Sequence, residues 1–127
     1  MNDLNTKERP LSPHLQVYKW QLSSLLSITH RLTSVINTAG ISIICFWIIS
    51  LYLGENCYKY FSIFISSLIG KFVLIGFTWS FCYHLLNGIR HLFWDLGYGY
   101  ELKTANLSGT LVLLSSFLAT LALWILA

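Results

Sequence analysis

The sequence predicts an all-α membrane protein with three transmembrane helices. Three observations lead to the helices. The chain has 127 residues, 55% hydrophobic and only 10% charged, whereas a soluble domain carries about 25% charged residues. Leu32 to Gly54 and Thr104 to Ala127 contain no charge at all, and each exceeds the roughly 20 residues that cross a bilayer as a helix. A middle segment, from about Tyr60 to Ile89, is almost as apolar but holds Lys71 and His84. Lipid cannot satisfy backbone polar groups, so spans are helices or closed barrels. The many short alternating segments of a barrel are not visible.

The elements follow in order. Residues 1–22 read as a polar leader with Pro10 and Pro13, and residues 23–127 as the three-helix domain. The leader has no apolar stretch ending at a small-residue cleavage site, and Asp3 and Glu8 interrupt any mitochondrial presequence. Synthesis in bacterial cytoplasm or inside an organelle is therefore expected. Tyr18 and Trp20 suit the membrane interface. The first helix should run from about Ser23 to Leu53, with a turn at Gly54, Glu55 and Asn56. The second should run unbroken from about Tyr58 to Leu96, where Gly97 and Gly99 stop it. Asn106 to Ser108 offer capping side chains for the start of the third.

The net charge of +3 speaks of topology, not of nucleic acid. Lys7, Arg9, Lys19, Arg31, Arg90 and Lys103 fall on one side, and only Lys59 and Lys71 on the other. Basic residues stay on the synthesis side. The N-terminus and the loop from Asp95 to Lys103 are thus expected in the cytoplasm or matrix, with the C-terminus on the far side. Lys71 to Arg90 is 19 steps, about 28 Å at 1.5 Å per residue, close to the hydrocarbon thickness. Lys71 can snorkel outward, while Arg90 and Arg31 sit level at the inner boundary. His84 then lies about 9 Å deeper than Arg90.

His84 is the sharpest chemical feature, because an ionisable group within a span is a functional hypothesis by default. From the residues alone it is either a haem iron ligand, an interhelical hydrogen-bonding group or a proton-handling group. His84, Gly88, His91 and Asp95 recur on one helix face, and Gly88 leaves room beside His84 for a flat macrocycle. His84 and His91 stand about 10.5 Å apart along the axis, so they cannot share one iron. His30 is expected to lie shallower than His84, which points to another chain for any second ligand.

On the first helix, Ser27, His30, Arg31, Ser34 and Thr38 form a polar stripe, expected to face the bundle interior or a cavity. Arg31 either holds a carboxylate or carbonyl or snorkels to phosphate headgroups. Asn87, Arg90 and Asp95 read as milder features, Arg90 and Asp95 as boundary charges. Ser108, Gly109, Ser115 and Ser116 read as small packing contacts. Cys45 and Cys82 fall in spans and Cys57 in a loop, without metal-ligand spacing; apolar packing is the expectation for the first two. No phosphate-binding glycine loop, flavin fingerprint or iron–sulfur cysteine cluster is present. The chain alone should not oxidise a soluble metabolite.

Two segments carry a resemblance. One is Arg9-Pro10-Leu11-Ser12-Pro13-His14-Leu15 followed by Ser27-Ile28-Thr29-His30-Arg31-Leu32-Thr33. The other runs from His84 through Asn87-Gly88-Ile89-Arg90-His91 to Trp94-Asp95-Leu96-Gly97. Together they resemble the cytochrome b subunits of succinate dehydrogenase, respiratory complex II, of the mitochondrial and alphaproteobacterial type. The resemblance implies a haem b shared with a second small membrane anchor subunit. It also implies docking of a flavoprotein subunit and an iron–sulfur subunit, and electron transfer from succinate to ubiquinone. His84 matches the axial iron ligand, and His30 and Arg31 match residues near the haem propionates. His91 matches a position at the haem edge. Ser27 and Arg31 match the ubiquinone site, with Trp20 and Ile28 as apolar wall. Ser34 replaces a frequent glycine, which alters close packing at that turn. The expected location is a bacterial cytoplasmic membrane or the mitochondrial inner membrane. The rival readings are a self-contained membrane cytochrome b and a structural anchor without haem.

Overall fold

The computed structural model describes residues 20–126. The leader motif from Arg9 to Leu15, Tyr18 and most of the leader lie outside the described residues. Four helices follow in order: α1 (Leu22–Leu53), α2 (Glu55–Ser66), α3 (Leu68–Asp95) and α4 (Leu102–Leu126). Three of them, α1, α3 and α4, are long and apolar enough to cross a membrane. No strand occurs among the described residues.

Three sequence expectations change. Glu55, Asn56 and Cys57, read as turn and loop, are the first residues of α2. The second helix is not continuous, since Ser67 at φ −68°, ψ 157° separates α2 from α3. Its hydroxyl accepts the Gly70 amide at 3.0 Å and donates to the Phe64 carbonyl at 2.6 Å. Such local side-chain bonds compete with the helix ladder. Glycine at position 70 lets the break close tightly, because a Cβ there would strike the Phe64 carbonyl oxygen. The last helix begins at Leu102, where the Ala105 amide bonds the Glu101 carbonyl at 2.8 Å. Asn106 to Ser108 therefore lie inside α4 and do not cap it. The turns need left-handed backbone at Gly54 (φ 101°), Gly97 (φ 88°) and Gly99 (φ 82°), conformations natural to glycine.

Helix α3 is central and packs against α1, α2 and α4. The core is small: Leu26, Tyr83 and Val112, with Leu22, Trp79, Leu86 and Leu113 against it. Close approach depends on small residues, as expected where lipid removes the hydrophobic drive between helices. A Cβ on Gly109 would overlap the Leu26 side chain, and one on Gly40 would overlap the Phe77 ring. The interior holds buried Thr33, Ser80, Asn87, Ser116 and Thr120, while large apolar side chains such as Ile36, Phe46 and Leu118 face outward. This inside-out distribution suits a chain surrounded by lipid.

Candidate functional site

The site lies where α1 and α3 run side by side near the Gly97 end of the bundle. The imidazole of His30 stacks on that of His84, with centroids 4.1 Å apart and planes 4° from parallel. His91 tilts against His30 at 5.2 Å and meets Trp94 edge-on at 5.0 Å. Three histidines thus form one column, which the heptad-like spacing on α3 alone could not reveal, because His30 fills the gap between the other two. They do not converge as a metal-binding triad among the described residues.

The Thr33 hydroxyl lies 3.1 Å from Nδ1 of His84 and 2.9 Å from the His30 carbonyl. With Nδ1 engaged and His30 covering a ring face, Nε2 is the His84 nitrogen open to an external ligand. One turn further, nothing lies within 4 Å of where a Cβ on Gly88 would sit. The Nδ1 atom of His30 is buried without a hydrogen-bond partner among the described residues.

Beside this column opens a cleft of about 430 Å³, lined by Ser27, Ile28, Arg31, His91, Trp94 and Arg90 among others. The structure thus gathers Ser27, Ile28 and Arg31 in one concavity. The Arg31 guanidinium is exposed and has no hydrogen bond or ion pair among the described residues. Trp20, 70% exposed, is not among the residues that line this cleft.

Arg90 is no simple boundary charge. It is 7% exposed. Its Nε donates to Ser108 Oγ at 2.9 Å, Nη2 to the Ala105 carbonyl at 2.8 Å and Nη1 to Asn87 Oδ1 at 3.4 Å. Its guanidinium carbon lies 4.0 Å over the Trp94 ring, a cation–π distance. Ser108, read from sequence as packing, is one of its acceptors.

The polar stripe on α1 divides. Ser27 and Arg31 line the cleft. Ser34 and Thr38 are exposed and return their hydroxyls to carbonyls of their own helix, Arg31 and Ser34, both at 3.0 Å. His30 stacks inward on His84, and the other interior contacts come from residues the sequence did not single out: Thr33, Asn37, Ser80 and Tyr83. Ser80 donates to Asn37 Oδ1 at 2.9 Å and lies 3.2 Å from the Thr33 carbonyl. Tyr83 donates to the Leu26 carbonyl at 3.0 Å. The available signal was spacing, since Leu26, Thr33, Asn37 and Gly40 recur on one face of α1.

Comparison with known proteins agrees with this architecture. The model of the succinate dehydrogenase/fumarate reductase transmembrane subunit family matches residues 5–123. The succinate dehydrogenase cytochrome b556 subunit of Rickettsia prowazekii is 48% identical over 118 residues, covering 93% of this chain and 92% of the relative. That of Paracoccus denitrificans is 40% identical, covering 91% and 89%. The mitochondrial cytochrome b560 subunit of Sus scrofa is 36% identical, covering 91% of this chain and 69% of its own length. A three-span bundle matched along nearly its whole length, with its histidine column inside the matched region, leads to one assignment: the chain belongs to the succinate dehydrogenase/fumarate reductase transmembrane subunit family.

Proposed function

We propose that this chain is the membrane-anchoring haem b subunit of succinate dehydrogenase. In this reading it docks the flavoprotein and iron–sulfur subunits on the cytoplasmic or matrix side. It also forms part of the site where ubiquinone is reduced with electrons from succinate. The observation that supports it most is the His84 imidazole, held at Nδ1 by Thr33 and open at Nε2 beside the uncrowded Gly88 turn.

The residues fit a haem. His84 Nε2 would ligate the iron, and the open Gly88 turn would admit the edge of a macrocycle. His30, whose buried Nδ1 has no partner among the described residues, and Arg31 are polar groups for the propionates, with His91 at the edge. When bound, haem b supplies a one-electron redox centre within the membrane. His30 lies parallel on the face of His84, whereas a ligand opposite His84 must lie along that ring's plane. A second ligand would come from another chain, in this reading the second anchor subunit.

Reduction of a quinone to a quinol adds two electrons and two protons. The work of this chain's residues is electrostatic. The exposed Arg31 guanidinium gives planar donors to a quinone carbonyl oxygen as negative charge builds on it, the role preorganised donors play for oxyanions. The Ser27 hydroxyl adds a second donor. Ile28 and Trp94 form apolar wall and keep the head group from water. Arg90, fixed by its bonds to α4, keeps positive potential at the cleft floor without moving.

The test is a reduced-minus-oxidised visible spectrum of membranes co-expressing all expected subunits, wild type beside His84→Leu. A low-spin b-type signal that disappears in the variant is the expected result. A signal unchanged by His84→Leu overturns the ligand assignment.

A further inference from the structure

We propose that Thr33 is a positioning residue for His84: its hydroxyl accepts the Nδ1 proton and so presents Nε2, with a free lone pair, to the haem iron. The inference rests on the haem reading above and concerns how this chain prepares the ligand.

A neutral imidazole has one proton, and a ring that ligates through Nε2 keeps it on Nδ1. Thr33 has one hydroxyl proton and two groups in reach, the His30 carbonyl at 2.9 Å and His84 Nδ1 at 3.1 Å. A carbonyl can only accept. The arrangement that makes both contacts hydrogen bonds therefore runs one way: His84 Nδ1–H donates to Thr33, and Thr33 O–H donates to His30. The opposite tautomer would place the ring proton on Nε2 and block ligation.

The acceptor is also immobile. Thr33 is 1% exposed, and of the two χ1 wells open to threonine in a helix its bond to the His30 carbonyl holds one. Ser80, fully buried, lies 3.2 Å from the Thr33 carbonyl and fastens the same turn to α3. A hydroxyl is a neutral acceptor, so it orients the ring without placing an anion at membrane depth, where charge is costly. Histidine ligands are usually held this way through their other nitrogen, which fixes ring orientation and raises basicity. A more basic ligand favours the ferric state. Its loss should raise the midpoint potential.

The experiment is a redox titration of the b-type absorbance, with the low-spin ferric EPR spectrum, on the assembled complex. Wild type, Thr33→Val, Thr33→Ser and His84→Leu are compared. Thr33→Val keeps shape and removes the hydroxyl; Thr33→Ser restores it. The expected result is a higher potential and altered g values in Thr33→Val, with wild-type behaviour in Thr33→Ser. The ferric-to-ferrous ratio at fixed poise should fall severalfold, where tenfold corresponds to about 59 mV for one electron. Haem loss in Thr33→Val alone also supports the role. Unchanged potential and spectrum in Thr33→Val overturn it, as does equal disturbance by Val and Ser, which would mark packing as the cause. A signal that survives His84→Leu instead overturns the underlying haem reading.

Discussion

Arg90 and Ser108 are joined by a 2.9 Å hydrogen bond from Nε to Oγ, which ties α3 to α4 at the end of the bundle that holds the site. The same guanidinium reaches the Ala105 carbonyl, so one side chain bridges two positions of the neighbouring helix. Lysine lacks the planar fork that makes this possible. Interhelical hydrogen bonds in membrane proteins are worth about 0.6 kcal/mol on average, so Arg90→Lys should destabilise the bundle by roughly 1 kcal/mol, and Ser108→Ala by less. Unfolding of the purified complex in mixed micelles measures this. Equal stability of Arg90→Lys and wild type would show that the fork does not hold the helices.

Gly109 sits where a Cβ would overlap Leu26. Gly109→Ala should push the α1–α4 contact apart and cost about 1–3 kcal/mol, the usual range for overpacking. The same unfolding assay applies, and a neutral Gly109→Ala would mean that Leu26 has room to turn away.

Gly88 offers the contrast. Nothing lies within 4 Å of its would-be Cβ, so Gly88→Leu should leave the packing of this chain intact. On the haem reading the new side chain occupies the space beside His84, and haem content per assembled complex should fall severalfold. Full haem occupancy in Gly88→Leu would place the macrocycle elsewhere.

Arg31→Leu should lower quinone reduction by roughly 100-fold, as loss of a preorganised donor does in other enzymes, while sparing succinate oxidation by an artificial acceptor at the soluble heads. Ser27→Ala should act in the same direction, by roughly twofold to tenfold, the worth of one neutral hydrogen bond. Equal loss in both assays would remove Arg31 from the quinone site, and unchanged apparent quinone affinity would remove Ser27.

Cys57 is exposed beside Lys59, on the side with fewer basic residues. In intact bacteria a membrane-impermeant maleimide should label Cys57 in a Cys45→Ala/Cys82→Ala background. The same reagent should not reach position 101 when Glu101→Cys is added and Cys57 removed. The reverse pattern would invert the topology drawn from the basic residues.

Much of the fold was legible because lipid imposes a simple rule: a long uncharged run must be a helix. The same rule isolated His84, since an ionisable residue in such a run stands out. It said little about Ser67, whose hydroxyl breaks the expected second helix by bonding Phe64 and Gly70. A serine reads as tolerable in a helix until its partners are known. Arg90 was underread for a related reason. Its burial depends on Ser108 and the Ala105 carbonyl, both on a helix that sequence distance does not place beside it.

Spacing within one helix is local and fixed by 3.6 residues per turn. Composition and this spacing therefore determined the three spans, the side that collects basic charge, the single-face placement of His84, Gly88 and His91, and the pairing of Ser27 with Arg31. Which faces meet is set by the rotation and depth of each helix against the next, through small residues such as Gly109 and hydrogen bonds such as Tyr83 to Leu26. Tertiary structure alone therefore decided that His30 stacks on His84, that Thr33 rather than the polar stripe reaches its Nδ1, and that Ser27, Ile28 and Arg31 share a cleft with His91 and Trp94.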